Sequence, residues 1–484
     1  MDTTHMTLAE LQRLLHAREL SAKDLLSEHM MRIENVDGVV KAFLRTTPQL
    51  AAEQAAAADR ALKAGEAGPL AGIPLAVKDV LCVEGVETTA GSQILRGFKP
   101  PYTGTAVGRL FAAGAVMVGV TNCDEFAMGS STENSSYFPT HNPWDLERVP
   151  GGSSGGSASA VAAGEAVVSL GTDTGGSIRQ PAALCGVVGM KPTYGRVSRY
   201  GLIAFASSLD QIGPFGRSVE DCAILLAAMA GHDPLDATSS DRSNDVRRDF
   251  DKGVQGMRLG VPREYYDVEG IEPGVKAAID KALDALRRVG AEIVDVTLPH
   301  TDYGLAAYYI IAPAECSSNL ARFDGVRYGM SDQDAANVTD AYMLTRRGGF
   351  GTEVRRRVML GTYALSSGYY DAYYVKAQKV RTLIKRDFDS AFEKCDAIVS
   401  ATSPTVAFPI GSKTKDPLAM YLCDVLTLGG NLAGLPGISV PCGLSEGLPV
   451  GLQVLAPQWR EDVALRVARA YEVASGVKVE VAPL

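Results

Sequence analysis

The sequence has few of the features that mark metal-binding, disulfide-bonded or membrane-anchored proteins. Its eight cysteines are scattered, with no Cys-x-x-Cys pair, which favours reduced thiols and argues against a zinc site. No apolar run approaches the length of a transmembrane helix, and the N-terminus has neither a signal-peptide nor a transit-peptide pattern. We therefore predict a cytoplasmic protein with no metal site in this chain.

Histidine and net positive charge are also scarce. Only six of the 484 residues are histidines, and none lies in a segment that resembles an active-site loop. Lys and Arg number 47 against 56 Asp and Glu, and the net charge of −9 argues against a surface that coats nucleic acid broadly. A hydrophobic content of 46% is ordinary for a globular enzyme. A catalytic serine in this chain would thus use lysine as the alternative base.

The pattern along the chain predicts an α/β protein. Thr7 and Ser21 are expected helix N-caps, and residues 70 to 130 alternate strand, helix and strand, which implies parallel pairing. We treat 1–484 as one domain with N-terminal helices (about 1–65), a core (about 66–230), an inserted α/β and helical region (about 231–395) and closing strands (about 396–484). The inserted region has the alternative of being a separate small domain. Ser207 to Gly216 is expected to be a loop, and Leu184–Pro192 a strand and turn.

Two Gly/Ser clusters lie between Pro150 and Pro181, in the segment PGGSSGGSASAVAAGEAVVSLGTDTGGSIRQP. The first cluster is not a phosphate-binding loop of the GxxxxGK[ST] type, because Ser157 follows Gly156. It matches the G-x-S-x-G nucleophile elbow weakly, with Ser153 at its centre. A flexible linker is the third interpretation, although the helix-forming segment that follows at once argues against it.

The second cluster has the composition of an oxyanion hole next to a nucleophile. The N–H groups of Thr174, Gly175, Gly176 and Ser177 can converge on one oxygen beside the Ser177 hydroxyl. Such a serine needs a base. Lys78 ends the strand-like run LAGIPLAVK, and a buried lysine without a counter-charge tends toward its neutral, proton-accepting form. The alternatives are that Lys78 pairs with Asp79 or caps an edge strand.

Together these three segments resemble the amidase signature hydrolases. The resemblance implies a Ser-Ser-Lys triad in which Lys78 is the base, Ser153 the bridging serine and Ser177 the nucleophile. The separation of the two serines, 177 − 153 = 24 residues, is that of the family. The resemblance also implies the amidase signature fold, in which a large, mixed, mostly parallel β-sheet is sandwiched between helices.

Three later segments narrow the resemblance to the glutaminase branch of that family: RFDGVRYG (322–329), EVRRRVMLGTYALSSGYYDAYY (353–374) and the stretch from Asp424. The resemblance implies that Arg357 and Asp424 hold the α-carboxylate and α-amino ends of L-glutamine, with Tyr308 nearby. It implies a tRNA-dependent amidotransferase, a heterotrimer completed by the B and C subunits. Misacylated tRNA (Glu-tRNA(Gln), Asp-tRNA(Asn) or both) would bind mainly the B subunit. ATP and magnesium would bind that partner, with no cofactor in this chain.

Three other functions stay open at the level of sequence. One is a free-standing amidase of the same fold that acts on small carboxamides. A second is a catalytically inactive scaffold, against which the intact lysine and serines argue. The third is an α/β-hydrolase with Ser153 as nucleophile, which would require His232 or His300 as its base and an acidic partner that is not evident.

Overall fold

A single mixed β-sheet runs through the computed structural model, which describes residues 2–243, 245–268 and 270–484. The strand order is β1-β3-β2-β4-β6-β5-β10-β11-β9-β7-β8. The strands are β1 (Phe43–Thr46), β2 (Pro74–Lys78), β3 (Val116–Thr121), β4 (Val168–Asp173), β5 (Val188–Lys191), β6 (Gln211–Gly216), β7 (Arg258–Pro262), β8 (Glu292–Val296), β9 (Ala397–Ala401), β10 (Gly437–Ser445) and β11 (Leu448–Leu455).

Helices pack around this sheet. They are α1 (Leu8–Ala17), α2 (Ala22–Val40), α3 (Pro48–Ala64), α4 (Thr105–Ala112), α5 (Gly155–Ala162), α6 (Arg179–Cys185), α7 (Val219–Met229), α8 (Arg263–Tyr266), α9 (Pro273–Arg288), α10 (Gly304–Asn319), α11 (Val338–Gly349), α12 (Thr352–Leu365), α13 (Lys376–Phe392), α14 (Pro417–Tyr421), α15 (Leu428–Leu432) and α16 (Glu461–Ser475). Throughout the described residues, every helix is too short or too polar to span a bilayer.

The sheet is mixed, as expected, but antiparallel neighbours outnumber parallel ones. Parallel pairs are restricted to β2–β3, β2–β4, β7–β8 and β7–β9, and helices α4 and α9 make the crossovers within the first and third of these. The other six pairs are antiparallel. Strands β7 and β8 extend the same sheet at one edge, so the inserted region does not form a sheet of its own.

The N-terminal caps lie where the sequence predicts them. Thr7 accepts a hydrogen bond from the Glu10 N–H and the Glu10 carboxylate accepts one from the Thr7 N–H, a complete capping box. Ser21 caps α2 through the Asp24 N–H. The apolar stripe of α1, with Leu8, Leu11 and Leu15, is fully buried, so this helix belongs to the core of the chain.

Two local predictions were wrong. The segment expected to be a loop, Ser207 to Gly216, contains strand β6 between β4 and β5. Gly213 and Pro214 explain why this strand was predicted as a loop, because glycine and proline are unusual inside a central strand. The segment from Leu184 begins inside helix α6, which ends at the left-handed Gly186 (φ 68°), and the expected strand starts only at Val188.

Candidate active site

The amine of Lys78 lies at the centre of a buried cluster of hydroxyl groups. Lys78 is the last residue of β2, and its side chain is 0% exposed. Its Nζ lies 2.8 Å from Ser153 Oγ, 2.8 Å from Ser154 Oγ and 2.8 Å from Thr172 Oγ1. The structure therefore brings the predicted lysine and the predicted bridging serine into direct contact.

Burial makes this amine a weaker base than a lysine in water. Loss of hydration lowers the pKa of Lys78 from 10.5 to about 8, while nearby acidic groups, among them Asp124 and Asp173, oppose the shift. At pH 7 about one lysine in ten would then be neutral. The shift has the direction that the sequence argument predicts, toward the neutral, proton-accepting form.

Ser154 and Thr172 impose a direction on the hydrogen bonds of the amine. Ser154 Oγ donates its proton to the Thr172 carbonyl oxygen at 3.1 Å, so it can only accept from Lys78. Thr172 Oγ1 offers a second acceptor. A neutral amine has two N–H bonds and one lone pair; with both N–H bonds directed to these acceptors, the lone pair faces Ser153 Oγ.

Lys78 does not pair with Asp79, which was the alternative explanation for a lysine at this position. Successive strand residues point to opposite faces of the sheet. Asp79 forms an ion pair with Arg45 at 2.9 Å and accepts hydrogen bonds from the N–H groups of Thr89 and Gly91. The carboxylate is therefore committed elsewhere, and the lysine faces the serine loop without it.

A buried ion pair holds the loop that carries Ser177. Asp173, the last residue of β4, binds Arg179 at 3.0 Å, and both side chains are 0% exposed. Asn431 donates to the same carboxylate at 2.8 Å, and Arg179 donates to Gln453 at 2.7 Å. The Arg179 charge keeps the pKa of Asp173 at about 2 despite the burial that raises it. This clamp fixes both ends of the turn from residue 173 to residue 179.

The predicted oxyanion-hole residues form a tight turn within that clamp. Gly176 has φ 141°, and a Cβ there would lie 2.2 Å from Thr427 Oγ1. A Cβ on Gly175 would lie 2.7 Å from the Tyr308 hydroxyl oxygen. The N–H groups of Gly175, Gly176 and Ser177 donate to no backbone acceptor in the described part of the chain. They are available to an oxyanion.

The two serine loops also touch each other. The Ser154 N–H donates to the Ser177 carbonyl oxygen at 3.2 Å, and the Gly152–Ser153 peptide bond is cis. Ser177 is 7% exposed, whereas Ser153 is fully buried. Thr174 Oγ1 donates to Asp210 at 2.7 Å, which anchors the start of the turn. The most accessible hydroxyl of the predicted triad is thus the predicted nucleophile.

Arg357 lies on the inner face of α12. Its Nε donates to Glu353 at 2.8 Å, and its guanidinium group packs on the rings of Tyr309 and Tyr421 at 5.1 and 5.5 Å. Its two terminal nitrogens form no hydrogen bond with any described residue. A planar fork held in this way can bind a carboxylate in two parallel hydrogen bonds. The sequence analysis did not predict a role for Glu353 or Tyr309. An acidic residue four positions before an arginine is common on helices, and Tyr309 is one of many tyrosines in this region.

Asp424 presents an unsatisfied buried oxygen. Its Oδ2 accepts a hydrogen bond from Ser130, while its Oδ1 has no partner within the described residues. Burial raises the pKa of Asp424 from 3.8 to about 7. A cation such as an ammonium group would both satisfy this oxygen and favour the ionised acid. The positive charge of Arg357 opposes the burial that raises the pKa values of Asp424 and Tyr308. The three residues predicted to hold glutamine are thus close enough to interact electrostatically.

Among the described residues, neither a histidine base for Ser153 nor a cluster of metal ligands is found. His300 binds Asp387 at 2.8 Å, and His232 is exposed. The side chain that contacts Ser153 Oγ is Lys78, so neither histidine supports the nucleophile-elbow alternative. No group of three or more His, Cys, Asp or Glu side chains within residues 2–243, 245–268 and 270–484 is placed to bind a metal ion.

The family described as Amidase matches residues 24–465. The chain is 59% identical to the A subunit of the glutamyl-tRNA(Gln) amidotransferase of Moorella thermoacetica over 98% of this chain and 97% of that one. The crystal structure of the A subunit from Thermotoga maritima is similar with a TM-score of 0.83 and 45% identity, covering 100% of this chain and 98% of that one. The peptide amidase of Stenotrophomonas maltophilia is similar with a TM-score of 0.83 and 33% identity, covering 98% and 97%.

Proposed function

The chain belongs to the amidase family, and from this premise we propose that it is the glutamine-hydrolysing subunit of a tRNA-dependent amidotransferase. Its product, ammonia, converts Glu-tRNA(Gln) to Gln-tRNA(Gln). The observation that carries the proposal is the buried Lys78 amine, 2.8 Å from the Ser153 hydroxyl and oriented by two further hydroxyls. Near-complete alignment with subunits of glutamyl-tRNA(Gln) amidotransferases supports the choice of substrate.

The proposed proton path begins with the Lys78–Ser153 hydrogen bond and continues to Ser177, whose carbonyl oxygen accepts from the Ser154 N–H. Neutral Lys78 accepts the proton of Ser153, which takes that of Ser177 as Ser177 attacks the carboxamide carbon. The free N–H groups of Gly175, Gly176 and Ser177 stabilise the oxyanion, with the Thr174 N–H expected to join them. Lys78, now protonated, returns a proton through Ser153 to the departing ammonia, and water then hydrolyses the glutamyl ester on Ser177.

The substrate-end residues select an amino acid amide. The free fork of Arg357 binds the α-carboxylate, and the unpaired oxygen of Asp424 accepts from the α-ammonium group. Tyr308 packs against Gly175 in the predicted oxyanion turn, which places it beside the reacting end of the substrate. Each charged end of glutamine thus meets a buried group of opposite charge that still has hydrogen-bonding atoms without a partner among the described residues.

The partners follow from the same proposal. Ammonia passes to the B subunit, which binds ATP, magnesium and the misacylated tRNA, while the C subunit completes the heterotrimer. Asp-tRNA(Asn) is a second acceptor to be assayed with the assembled complex. The cytoplasmic location and the lack of a cofactor in this chain stay predictions from the sequence.

A free-standing amidase is the second candidate, because the peptide amidase of Stenotrophomonas maltophilia shares the fold over nearly the whole chain. Arg357 and Asp424 discriminate between the two functions. An enzyme for simple amides has no use for a fork and a carboxylate that bind the two charged ends of an amino acid.

The test measures hydrolysis of glutamine and of a simple aliphatic amide by the chain co-expressed with the B and C subunits. Ser177→Ala should abolish both reactions, because it removes the nucleophile. Arg357→Ala should raise the KM for glutamine by a factor of about 100 and change simple-amide hydrolysis little, since one charge-assisted bidentate contact contributes about 2–3 kcal/mol.

The control is Arg356→Ala. Arg356 precedes Arg357 on the same helix and also forms an ion pair with Glu353, but its side chain is 40% exposed. It should leave the KM for glutamine within about threefold of the native value. Normal turnover by Ser177→Ala would refute the proposal. Equal effects of Arg357→Ala on both substrates would favour the free-standing amidase.

A further inference from the structure

A groove of about 440 Å³ lies outside the catalytic cluster, between the segments 95–102, 202–204 and 319–328. Its lining is mostly apolar and aromatic: Leu95, Phe98, Tyr102, Leu202, Phe323 and Tyr328. The Tyr328 ring packs on Phe98 at 5.4 Å and on Phe323 at 6.0 Å, so the wall is held in place without a ligand. No step of the proposed mechanism uses this groove.

The rim of the groove is basic. Arg322 and Arg327 line it, and Arg96 and Lys99 lie on the neighbouring loop. All four side chains are exposed, and none forms an ion pair with another described residue. Exposed Val326, at 72%, lies beside Arg327. Two acidic groups lie on or beside the same segments: Asp324 accepts hydrogen bonds from the Val326 and Arg327 N–H groups, and Glu87 accepts one from the Gly97 N–H. Four basic groups against these two leave a local positive charge on a chain whose net charge is −9.

The floor of the groove is joined to both halves of the candidate active site. The Ile203 N–H donates to the Val80 carbonyl oxygen at 2.9 Å, two residues after Lys78. Phe205, two residues beyond Ile203, packs on the guanidinium group of Arg357 at 5.6 Å. An occupant of the groove would therefore contact a segment that is bonded just beyond the end of β2 and packs on the arginine of the substrate site.

We propose that this groove receives an acidic, amphipathic segment of a partner subunit, which binds through apolar side chains on the floor and carboxylates at Arg322 and Arg327. Aromatic residues and arginine are the side chains that dominate protein interfaces energetically. Unpaired cations around an apolar floor favour an occupant with both apolar groups and negative charge. The proposal rests on the proposed function, because that function supplies the partner.

The first experiment is charge reversal in the co-expressed complex. Arg322→Glu with Arg327→Glu should weaken association with the partner subunits at least tenfold, measured by titration of the purified chain with the purified partners. The matched control, Arg60→Glu with Lys63→Glu on the exposed side of α3, makes the same change in net charge and should stay within twofold of the native affinity. Hydrolysis of a simple amide by each variant verifies that the chain is folded.

The second experiment locates the occupant. A p-benzoylphenylalanine in place of Tyr328 should crosslink under light to a partner segment rich in Asp, Glu and apolar residues, identified by mass spectrometry. The same probe in place of Val473, which is 66% exposed on α16, should not crosslink to that segment. Crosslinking to a second copy of this chain, or to a co-purified small molecule, would overturn the proposal.

The two proposals fail in different ways. A chain that hydrolyses simple amides but associates with no other amidotransferase component refutes the proposed function, and the groove proposal with it. A native complex that the charge reversal leaves intact, with no crosslink from position 328 to a partner, refutes the groove proposal alone.

Discussion

Two lysines occupy equivalent positions in this sheet, yet their surroundings differ. Lys78 ends β2 and Lys191 ends β5, and both strands are buried throughout. Burial lowers the pKa of both, to about 8 for Lys78 and about 7 for Lys191. The Lys78 amine contacts three hydroxyl groups, whereas the Lys191 amine donates to the carbonyl oxygens of Pro192 and Leu435.

The difference explains why we propose Lys78 rather than Lys191 as the base, although burial lowers the pKa of both. A carbonyl oxygen accepts a hydrogen bond but has no proton to give, so Lys191 can only hold two chain segments together. A hydroxyl both accepts and donates, so Ser153 can pass a proton to Lys78 and receive another. The predictions below test this contrast, beginning with the largest expected effect.

Replacing each lysine by methionine should separate the two roles. Lys78→Met should lower kcat by a factor of about 10⁴, because the members of a catalytic triad act as a unit. Lys191→Met should keep kcat within about tenfold of the native value, since it removes two contacts to carbonyls and one charge near Asp173, whose carboxylate keeps its bonds to Arg179 and Asn431. Steady-state kinetics with a simple amide measures both, and similar losses in the two variants would contradict the contrast.

Removing one hydroxyl beside Lys78 should have an intermediate effect. Thr172→Val keeps the shape of the side chain but removes one acceptor, so the lone pair is no longer directed to Ser153, and kcat should fall about 10- to 100-fold. Thr121→Val is the control, because Thr121 lies opposite Lys78 in the sheet and its hydroxyl contacts Ser157 instead. Equal losses in both variants would show a general packing effect.

The pH profile should report the Lys78 amine. Only the neutral form accepts a proton, so kcat/KM should rise about tenfold per pH unit below the pKa of about 8 and level off above it. A simple amide is the substrate of choice, because Asp424, with a pKa of about 7, affects glutamine binding. Lys191→Met should show the same profile; a shifted midpoint would mean that Lys191 contributes to catalysis.

The smallest expected effect concerns stability. The pKa of Lys191 is about 7 in the folded protein and 10.5 in the absence of burial, the value expected for the unfolded chain. Between pH 7 and pH 10.5 the unfolded chain therefore binds more protons than the folded protein. The free energy of unfolding then rises with pH in this range. Between pH 7 and 9 the native free energy of unfolding should rise relative to that of Lys191→Met by at most about 1.4 kcal/mol per pH unit. Denaturant titrations at several pH values measure the difference, and parallel slopes would contradict it.

Local patterns predicted much of the fold. Helix caps, crossover units and the end of β2 follow from short-range rules, which is why the capping box and the strand before Lys78 lie where expected. Strand β6 was missed because Pro214 is unusual in a central strand, and the clamp between Asp173 and Arg179 was missed because two of its members, Asn431 and Gln453, lie more than 250 residues away.

By itself, the sequence determined the ingredients of the candidate site: a lysine that ends an apolar strand and two Gly/Ser clusters at the family's spacing. Lys78 and Lys191 share the same local pattern, an apolar strand that ends in lysine. Only the tertiary structure distinguishes them. The loop before α5 places serine hydroxyls beside the Lys78 amine, whereas the Lys191 amine contacts carbonyl oxygens. Proton transfer depends on which oxygen lies within about 3 Å, and that contact is made between distant parts of the chain.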